Sequence, residues 1–183
     1  MEYPDPAAVP ADLRDAIVAH GSLNIFWMVM HSPNLAPALL GLGDAILQHN
    51  SLPDTLRELA IVRVGYAYEA AYEVHHHERI AQLVELSPEA LAAAESGSAD
   101  KLSGPEAAVL DATNQLLERH TLDEDTRAGL LAFLTVNQLA DLVMTVGFYQ
   151  LICNFLKTFE VTPEGEPRSP HSQEPPAASP SPG

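Results

Sequence analysis

The feature that most constrains the fold is a repeated helix-start signal in the second half of the chain. A Ser or Thr residue is followed three positions later by Glu or Gln in Ser103–Glu106, Thr121–Glu124 and Thr135–Gln138. In such a capping box, both side chains bond to backbone N–H groups that the first turn of a helix leaves free. Ser87–Pro88 is a further start signal, a Ser cap followed by a proline at the first helical position. The sequence therefore predicts a series of helices from residue 87 onward.

Earlier in the chain, apolar residues also recur at the spacing of one helical face. Four segments have this pattern: residues 11–23, 24–33, 34–50 and 51–86. We expect Asn34 to cap the third segment, with Pro37 in its first turn, and Pro53 to open the fourth. No segment has the alternation of apolar and polar residues that predicts a β-strand. The chain is therefore predicted to be all-α, with about seven or eight helices in one domain.

Both ends of the chain are rich in proline and poor in large apolar residues. Prolines stand at positions 4, 6 and 10, and residues 162–183 contain seven of the 15 prolines. Segments of this composition bury too little apolar surface to offset the entropy cost of ordering them. We predict a flexible N-terminus over residues 1–10, a folded domain over residues 11–161 and a disordered tail over residues 162–183.

Charge and cysteine content argue against several classes of function. The chain has 25 acidic and 9 basic residues, a formal net charge of −16, which disfavours binding to nucleic acids and to anionic membranes. Cys153 is the only cysteine, so neither an intramolecular disulfide nor a CxxC redox pair can form. We find no signal-peptide pattern and no unbroken apolar stretch of about 20 residues. We therefore expect a cytoplasmic protein that binds neither nucleic acid nor membrane.

The last predicted helix is apolar on nearly every side. Between Leu139 and Phe159, the polar residues are Asp141, Thr145, Gln150, Asn154, Lys157 and Thr158. A helix of this kind lies in a protein core or in a subunit interface. Because a chain of this size can hardly cover such a helix on all sides, we predict a homo-oligomer; the alternative is a central helix in a monomeric bundle.

Three consecutive histidines, His75, His76 and His77, follow Glu73 closely in the sequence. Consecutive side chains on a helix point about 100° apart, so the three cannot form one metal cage. Glu69, Glu73 and His77 lie on one helical face, His76 is three residues beyond Glu73, and His75 is expected to face water. A carboxylate one turn away raises the pKa of His77, and such a pair can hold and pass a proton.

A metal site would need more ligands than this segment supplies. Glu73 and His76 have the spacing found in di-iron bundles, but the sequence has no second Glu-x-x-His pair that would complete such a site. Zinc bound by Glu73, His77 and the distant His120 is possible but has no motif to support it. We predict that no metal is bound. The alternatives that remain are an acid–base pair and a solvated helix face with charge pairs.

An ordered set of motifs links this pair to a known family. The motifs are Leu52-Pro53, Arg57-Glu58-Leu59, Arg63, the run Tyr72–His77 and, upstream, His31-Ser32-Pro33. This set, over roughly residues 22–161, resembles the carboxymuconolactone decarboxylase family, which includes the alkylhydroperoxidase D (AhpD) proteins. The resemblance implies an AhpD-like helical bundle that assembles as a trimer or hexamer. It also implies a helix break near residues 65–70, without which Glu58 and Glu73 would lie about 22 Å apart on one helix.

The resemblance is closer to the decarboxylase branch than to the peroxidase branch. The peroxidase branch has a Glu, eleven residues, Cys-x-x-Cys, three residues and a His; the matching positions here are Glu58, Ala70, Glu73 and His77. Both cysteines are therefore absent, and disulfide exchange requires a thiolate and a resolving thiol. Cys153 is expected in a different helix, so we predict no thiol peroxidase activity.

The decarboxylase branch acts without a cofactor on a γ-carboxy lactone and has a Glu followed by a His four residues later. This implies a cofactor-free lyase or decarboxylase that acts on a small lactone or β-keto-type carboxylic acid, with Glu58, Glu73 and His77 as catalytic residues. His77, kept protonated by Glu73, would protonate or stabilise an enolate-like charge, while Glu58 would orient His77 or relay the proton.

Substrate binding is assigned to three further residues. Arg63 is the nearest cation able to bind a carboxylate with two hydrogen bonds, although a surface or interface ion pair is an equal interpretation. Tyr72 and His76 flank Glu73 and are further candidates. Two other functions stay open: a thiol-less, peroxidase-related antioxidant protein, and a non-enzymatic oligomer that binds a small ligand or a partner protein.

Overall fold

The computed structural model describes residues 1–165, and this part of the chain folds into nine α-helices without a β-strand. The all-α prediction is confirmed, with more helices than expected. The helices are α1 (Ala11–Ala19), α2 (Asn24–Val29), α3 (Ala36–Gln48), α4 (Asp54–Ala67), α5 (Ala71–Leu83), α6 (Pro88–Ser96), α7 (Gly104–Arg119), α8 (Glu124–Leu131) and α9 (Val136–Phe159). Residues 166–183, which make up most of the predicted disordered tail, lie outside the described residues.

Two of the predicted helix starts have the expected hydrogen bonds. At α9, the Thr135 side chain accepts from the Gln138 backbone and the Gln138 side chain accepts from the Thr135 backbone, which completes the capping box. At α6, the Ser87 hydroxyl accepts from the Ala90 N–H at 3.1 Å. These bonds satisfy backbone donors that the first turn leaves free.

Other predicted caps are wrong. Helix α8 is capped by Asp123, whose carboxylate accepts from the Thr126 N–H, so Thr121 is not the cap. A carboxylate is a strong acceptor at the positive end of the helix dipole, which favours Asp123 at this position. Helix α3 begins after Leu35 rather than after Asn34, and its N-cap makes no side-chain hydrogen bond.

Helix α4 lies at the centre of the bundle, where it contacts α5, α6, α7 and α9. Its residues from Leu56 to Val62 are all buried, including Arg57 and Glu58. Charged groups inside a core need partners there, because no water is present to solvate them. Because Glu58 is buried, its carboxylate must be paired with other buried side chains.

A sharp reversal separates α4 from α5. Glu69 adopts a left-handed conformation (φ 51°), and the N–H groups of Ala70 and Glu69 donate to the carbonyls of Gly65 and Tyr66. This pair of bonds is a Schellman motif, which ends a helix and redirects the chain. Gly65 also allows α5 to pack closely, since a Cβ there would lie 3.2 Å from a Val74 methyl group. The break predicted near residues 65–70 is confirmed.

Helix α9 has 24 residues and is only partly covered. One side packs on α3, α4, α5, α7 and α8. The other side exposes four large apolar residues: Val136, Val143, Met144 and Leu151. Within residues 1–165, α9 is the one helix long and apolar enough to cross a membrane by length and composition, a test that the core helix of a bundle also passes.

Both ends of the described chain contact the bundle. Val9 is buried, and Arg14 donates to the Pro6 carbonyl at 3.0 Å. At the other end, residues 161–165 form a segment that lies against α2, where the Asn24 side chain donates to the Thr162 carbonyl at 2.8 Å. This C-terminal segment (residues 161–165) reaches the candidate site.

Candidate active site

The reversal between α4 and α5 brings three ionisable side chains into contact inside the bundle. His77 Nδ1 lies 2.8 Å from Glu58 Oε2, and His77 Nε2 lies 3.1 Å from Glu73 Oε1. Glu58 comes from the middle of α4, whereas Glu73 and His77 stand one turn apart on α5. All three side chains are buried. The residues predicted to be catalytic therefore converge, and we refer to them as the Glu–His–Glu cluster.

Arg57 contacts Glu58 of this cluster and pairs with its carboxylate. Its Nε lies 3.1 Å from Glu58 Oε1, and its Nη1 lies 2.7 Å from Asp54 Oδ1. The Arg57 guanidinium is therefore engaged by two carboxylates and holds Glu58 in place for His77. Sequence reasoning did not assign Arg57 a role, although its position next to Glu58 in the family motif was a signal.

Burial and neighbouring charges set the proton affinity of the cluster. Burial disfavours the charged imidazolium of His77, but the carboxylates of Glu73 and Glu58 outweigh burial and raise its pKa. The pKa of Glu73 is also raised, because burial disfavours its carboxylate and Glu58 repels it, against the opposing attraction of His77 and His76. Two touching groups with raised pKa values can exchange a proton, which is the property an acid–base pair needs.

A cavity of about 300 Å³ opens beside the cluster. Its buried end is lined by Tyr72, Glu73, His76, His77 and Tyr149, and its exposed rim includes His20 and Asp44. The walls between are apolar: Leu23, Phe26, Leu39, Ile80, Phe148 and Ile152. An apolar cavity with a few convergent polar groups is the usual form of a small-molecule site.

Two polar groups at the buried end have capacity left for a ligand. Glu73 Oε1 is buried and close to His77, but the two are not aligned as a hydrogen bond, and no other described group bonds to this oxygen. The Tyr149 hydroxyl makes no hydrogen bond within residues 1–165, while its ring packs edge-on against His77 with centroids 4.9 Å apart. Burial first, then the charges of Glu73 and Glu58, raise the pKa of Tyr149, which keeps it a neutral donor.

Glu164, in the C-terminal segment, contacts Tyr72 and His76 at the buried end of the cavity. Its carboxylate accepts from the Tyr72 hydroxyl at 2.8 Å and from the Asn24 N–H at 2.7 Å, and Oε2 lies 2.9 Å from His76 Nε2. Burial opposes ionisation of Glu164, but these three contacts, together with the backbone of Glu164 itself, outweigh it and lower its pKa to about 2. The sequence carried no signal for Glu164, because it lies in a segment with the composition of a tail.

Arg63 lies away from the cavity. Its Nε donates to the Asn114 side chain at 2.7 Å and its Nη1 donates to the Ala94 carbonyl at 3.1 Å, at the end of α6. The last carbonyls of a helix lack hydrogen-bond donors within the helix, and Arg63 is the donor for the Ala94 carbonyl. The structure thus brings Tyr72 and His76 to the site but not Arg63, whose guanidinium has a structural place. His75 does not line the cavity either.

Neither a metal centre nor a thiol centre is evident in the part of the chain described. Within residues 1–165, no group of three or more His, Cys, Asp or Glu side chains is arranged to hold a metal ion. Cys153 is fully buried, and burial followed by the charge of Glu73 raises the pKa of its thiol. A thiol held in its protonated form is a poor nucleophile.

Residues 33–115, which include the Glu–His–Glu cluster, match the model of the carboxymuconolactone decarboxylase family. The family resemblance inferred from the sequence is therefore confirmed over these residues. No curated protein matches the chain significantly in sequence.

Solved structures share the fold over most of the chain. One is an uncharacterized peroxidase-related protein from Ralstonia eutropha JMP134 with an alkylhydroperoxidase AhpD core (22% identity, TM-score 0.78, covering 90% of this chain and 92% of that one). Another is a peroxidase-related protein from Silicibacter sp. TM1040 (14% identity, TM-score 0.76, 90% and 91% covered). A variant of the debrominase Bmp8 in complex with 2,3,4-tribromopyrrole is also similar (18% identity, TM-score 0.70, 90% and 91% covered). At these identities the likeness shows the fold alone.

Proposed function

Because the chain carries a segment of the carboxymuconolactone decarboxylase family over residues 33–115, we propose that it is a cofactor-free enzyme that transfers protons on a small lactone or β-keto-type substrate. The observation that supports this proposal is the position of one buried histidine between two carboxylates at the end of an apolar cavity. This arrangement combines a proton store with a water-poor binding site, which acid–base catalysis on a carbon acid requires.

The geometry suggests a division of roles within the cluster. Glu58 binds Nδ1 of His77 and thereby fixes the ring, and Glu73 covers Nε2. A proton on His77 Nε2 would therefore pass to a ligand by way of the Glu73 carboxyl group, which lines the cavity. We assign the direct proton transfer to Glu73 and the resupply of that proton to His77. This order differs from the expectation that His77 itself protonates the substrate.

The proposed reaction needs no partner other than water. Loss of CO₂ breaks a carbon–carbon bond and leaves its electron pair on the carbonyl as an enolate; removal of an α-proton by Glu73 leaves the same enolate. The Tyr149 hydroxyl can donate to the enolate oxygen, and Glu73 returns a proton to carbon. Hydrogen-bond donors aimed at developing charge contribute strongly to catalysis in a site that excludes water.

We also propose that the protein forms a homo-oligomer through the exposed face of α9. The exposed residues Val136, Val143, Met144 and Leu151 share this helix. An unbroken apolar face on a folded protein is commonly covered by a partner. The proposal predicts that Met144→Glu lowers the mass measured by light scattering, while Glu118→Lys on α7 does not. An unchanged mass in Met144→Glu would exclude this face.

Turnover of a panel of lactones and keto acids tests the proposed enzyme, with NMR as the readout. Glu73→Gln and His77→Gln should each lower turnover by about 100-fold or more, the usual contribution of general acid–base catalysis. His75→Gln is the matched control, since His75 neighbours the site without lining the cavity. Equal losses in all three variants would contradict the assignment. Tight ligand binding with no turnover in the wild type would favour a non-enzymatic binding protein.

A further inference from the structure

We infer that the substrate of this site is electrically neutral: a small, mostly apolar ring compound with a carbonyl oxygen, such as a lactone or cyclic ketone without a carboxylate. This inference rests on the proposed function and narrows its substrate class. It follows from the charges around the cavity, the donors left free and the size of the space.

The cations near the cavity are already bound to carboxylates. No Lys or Arg side chain of residues 1–165 lines the cavity. Arg57, behind the cluster, is shared between Asp54 and Glu58. At the rim, His20 Nε2 lies 2.9 Å from Asp44, whose negative charge offsets that of a protonated His20. Among residues 1–165, an incoming carboxylate would find no free cation to replace its lost water.

The buried end of the cavity carries negative charge. Glu164 is ionised at neutral pH, since its pKa is about 2. It already accepts the Asn24 N–H and the Tyr72 hydroxyl, two donors that an anionic ligand would otherwise use. Glu73 and Glu58 lie close by. A ligand carboxylate at this end would face like charges in a medium of low dielectric constant, which is strongly unfavourable.

Burial and the same carboxylates raise the pKa values of the two tyrosines at this end of the cavity. The pKa of Tyr72 is raised first by burial and then by Glu164, and the pKa of Tyr149 is raised first by burial and then by Glu73 and Glu58. A site that disfavours a phenolate disfavours a ligand carboxylate for the same reasons.

A neutral carbonyl oxygen suits the groups that remain. The Tyr149 hydroxyl has no partner within the described residues, so it can donate to that oxygen at the buried end of the cavity. A cavity of about 300 Å³ is at the lower end of the range for small-molecule sites, which limits the ligand to one or two rings. The apolar walls provide the rest of the binding energy.

A neutral substrate also changes the expected reaction. Without a carboxylate there is no CO₂ to lose, so proton transfer alone remains. In a ring with a C=C bond beside that position, Glu73 removes a proton from the carbon next to the carbonyl and the electron pair forms a dienolate. The proton then returns to the far end of the former C=C bond. Atoms and charge balance within one molecule, and the product is a double-bond isomer of the substrate.

Binding of two matched probes tests the inference. A β,γ-unsaturated butenolide with a methyl substituent is compared with the same butenolide carrying a carboxymethyl substituent, which is ionised at the neutral pH of the titration. Both are titrated into the full-length protein and followed by NMR or calorimetry. We expect the neutral probe to bind at least about tenfold more tightly, a difference of about 1.4 kcal/mol. Glu164→Gln should reduce this preference, because it removes one fixed negative charge, whereas Glu160→Gln, at the exposed end of α9, should not.

Equal or tighter binding of the carboxymethyl probe would overturn the inference, and so would a failure of the neutral probe to bind. The proposed function is tested separately by proton–deuterium exchange at the α-carbon of the bound methyl butenolide. A preference for the neutral probe without exchange would leave the charge selectivity intact and refute the catalytic role. Exchange together with tighter binding of the acid would refute the charge selectivity alone.

Discussion

Replacing Glu58 tests whether the buried cluster is held together by charge. The Glu58 side chain is fully buried and bridges two cationic groups, Arg57 at 3.1 Å and His77 at 2.8 Å. Glu58→Gln keeps the volume and one acceptor oxygen but removes the charge. Glu58→Ala removes the acceptor as well and leaves both partners facing an empty space. Comparing the two variants separates the contribution of charge from that of packing.

The magnitudes follow from the burial of the three groups. Loss of one partner from a buried ion pair destabilises a protein by about 3–5 kcal/mol, and we expect this for Glu58→Ala. Glu58→Gln keeps partial hydrogen bonding, so we expect about 2 kcal/mol, within the range for hydrogen bonds to charged groups. In a domain of this size, 1 kcal/mol shifts Tm by about 2–4 °C. The expected decrease in Tm is therefore about 4–8 °C for Gln and about 6–20 °C for Ala.

Urea unfolding followed by circular dichroism provides the measurement, with Glu69→Gln as control. Glu69 is exposed and lies 3.8 Å from Lys157, so its replacement should change stability by less than about 0.5 kcal/mol. The histidine resonance of His77 should also titrate at lower pH in Glu58→Gln, because one carboxylate that raises its pKa is gone. A Glu58→Gln protein as stable as the wild type, with His77 titrating unchanged, would refute the charge network.

Three further predictions concern pH and packing. The pKa of His77 is raised on folding, so its contribution to stability is complete below the unfolded pKa of 6.5 and is lost as the pH rises through the folded pKa. Tm measured against pH should therefore fall above neutrality, and a rise in Tm there would contradict this. Glu164 has a lowered pKa, so its contribution is present above the unfolded value of 4.5 and is lost as the pH falls towards about 2; Glu164→Gln should flatten the acid limb of the Tm profile, while Glu160→Gln should not. Gly65→Ala should destabilise the protein by about 1 kcal/mol, because the added methyl group crowds α5. Gly41→Ala, which has open space around it, should stabilise the protein by about 0.5–1 kcal/mol. Unfolding midpoints that shift in the same direction in both variants would show that the close packing at Gly65 is unimportant.

The sequence predicts the cluster because its geometry is mostly local. Glu73 and His77 stand four residues apart on one helix, so helical periodicity alone places them together. Glu58 joins them only because the chain reverses at Glu69, where no glycine marks the left-handed position. The family resemblance supplied that break, whereas local turn chemistry indicated it weakly.

The parts that sequence reasoning missed depend on long-range contacts. Tyr149 lies on α9 and meets His77 across the bundle, and no spacing rule relates residues so far apart in the chain. Glu164 lies in a proline-containing segment with the composition of a flexible tail, yet it contacts three groups of the folded domain. Arg63 was assigned by charge type alone, and the end of α6 proved to be its partner. Composition and periodicity describe elements well, but the docking of one element on another decides which charges meet.

The position of Glu73 supports the proton chemistry that we propose for a family segment without cysteines at these positions. In the peroxidase branch of the family that the sequence resembles, cysteines stand at the positions that match Ala70 and Glu73. Here a carboxyl group lies 3.1 Å from His77 Nε2 at the cavity wall. A carboxyl group exchanges protons with histidine, but it cannot form the disulfide that carries two electrons. Cys153 does not replace the missing pair, since its buried thiol has a raised pKa and no second cysteine exists. The Glu–His–Glu cluster is therefore suited to moving protons rather than electrons, which agrees with the carbon-acid substrate that we propose better than with a peroxide.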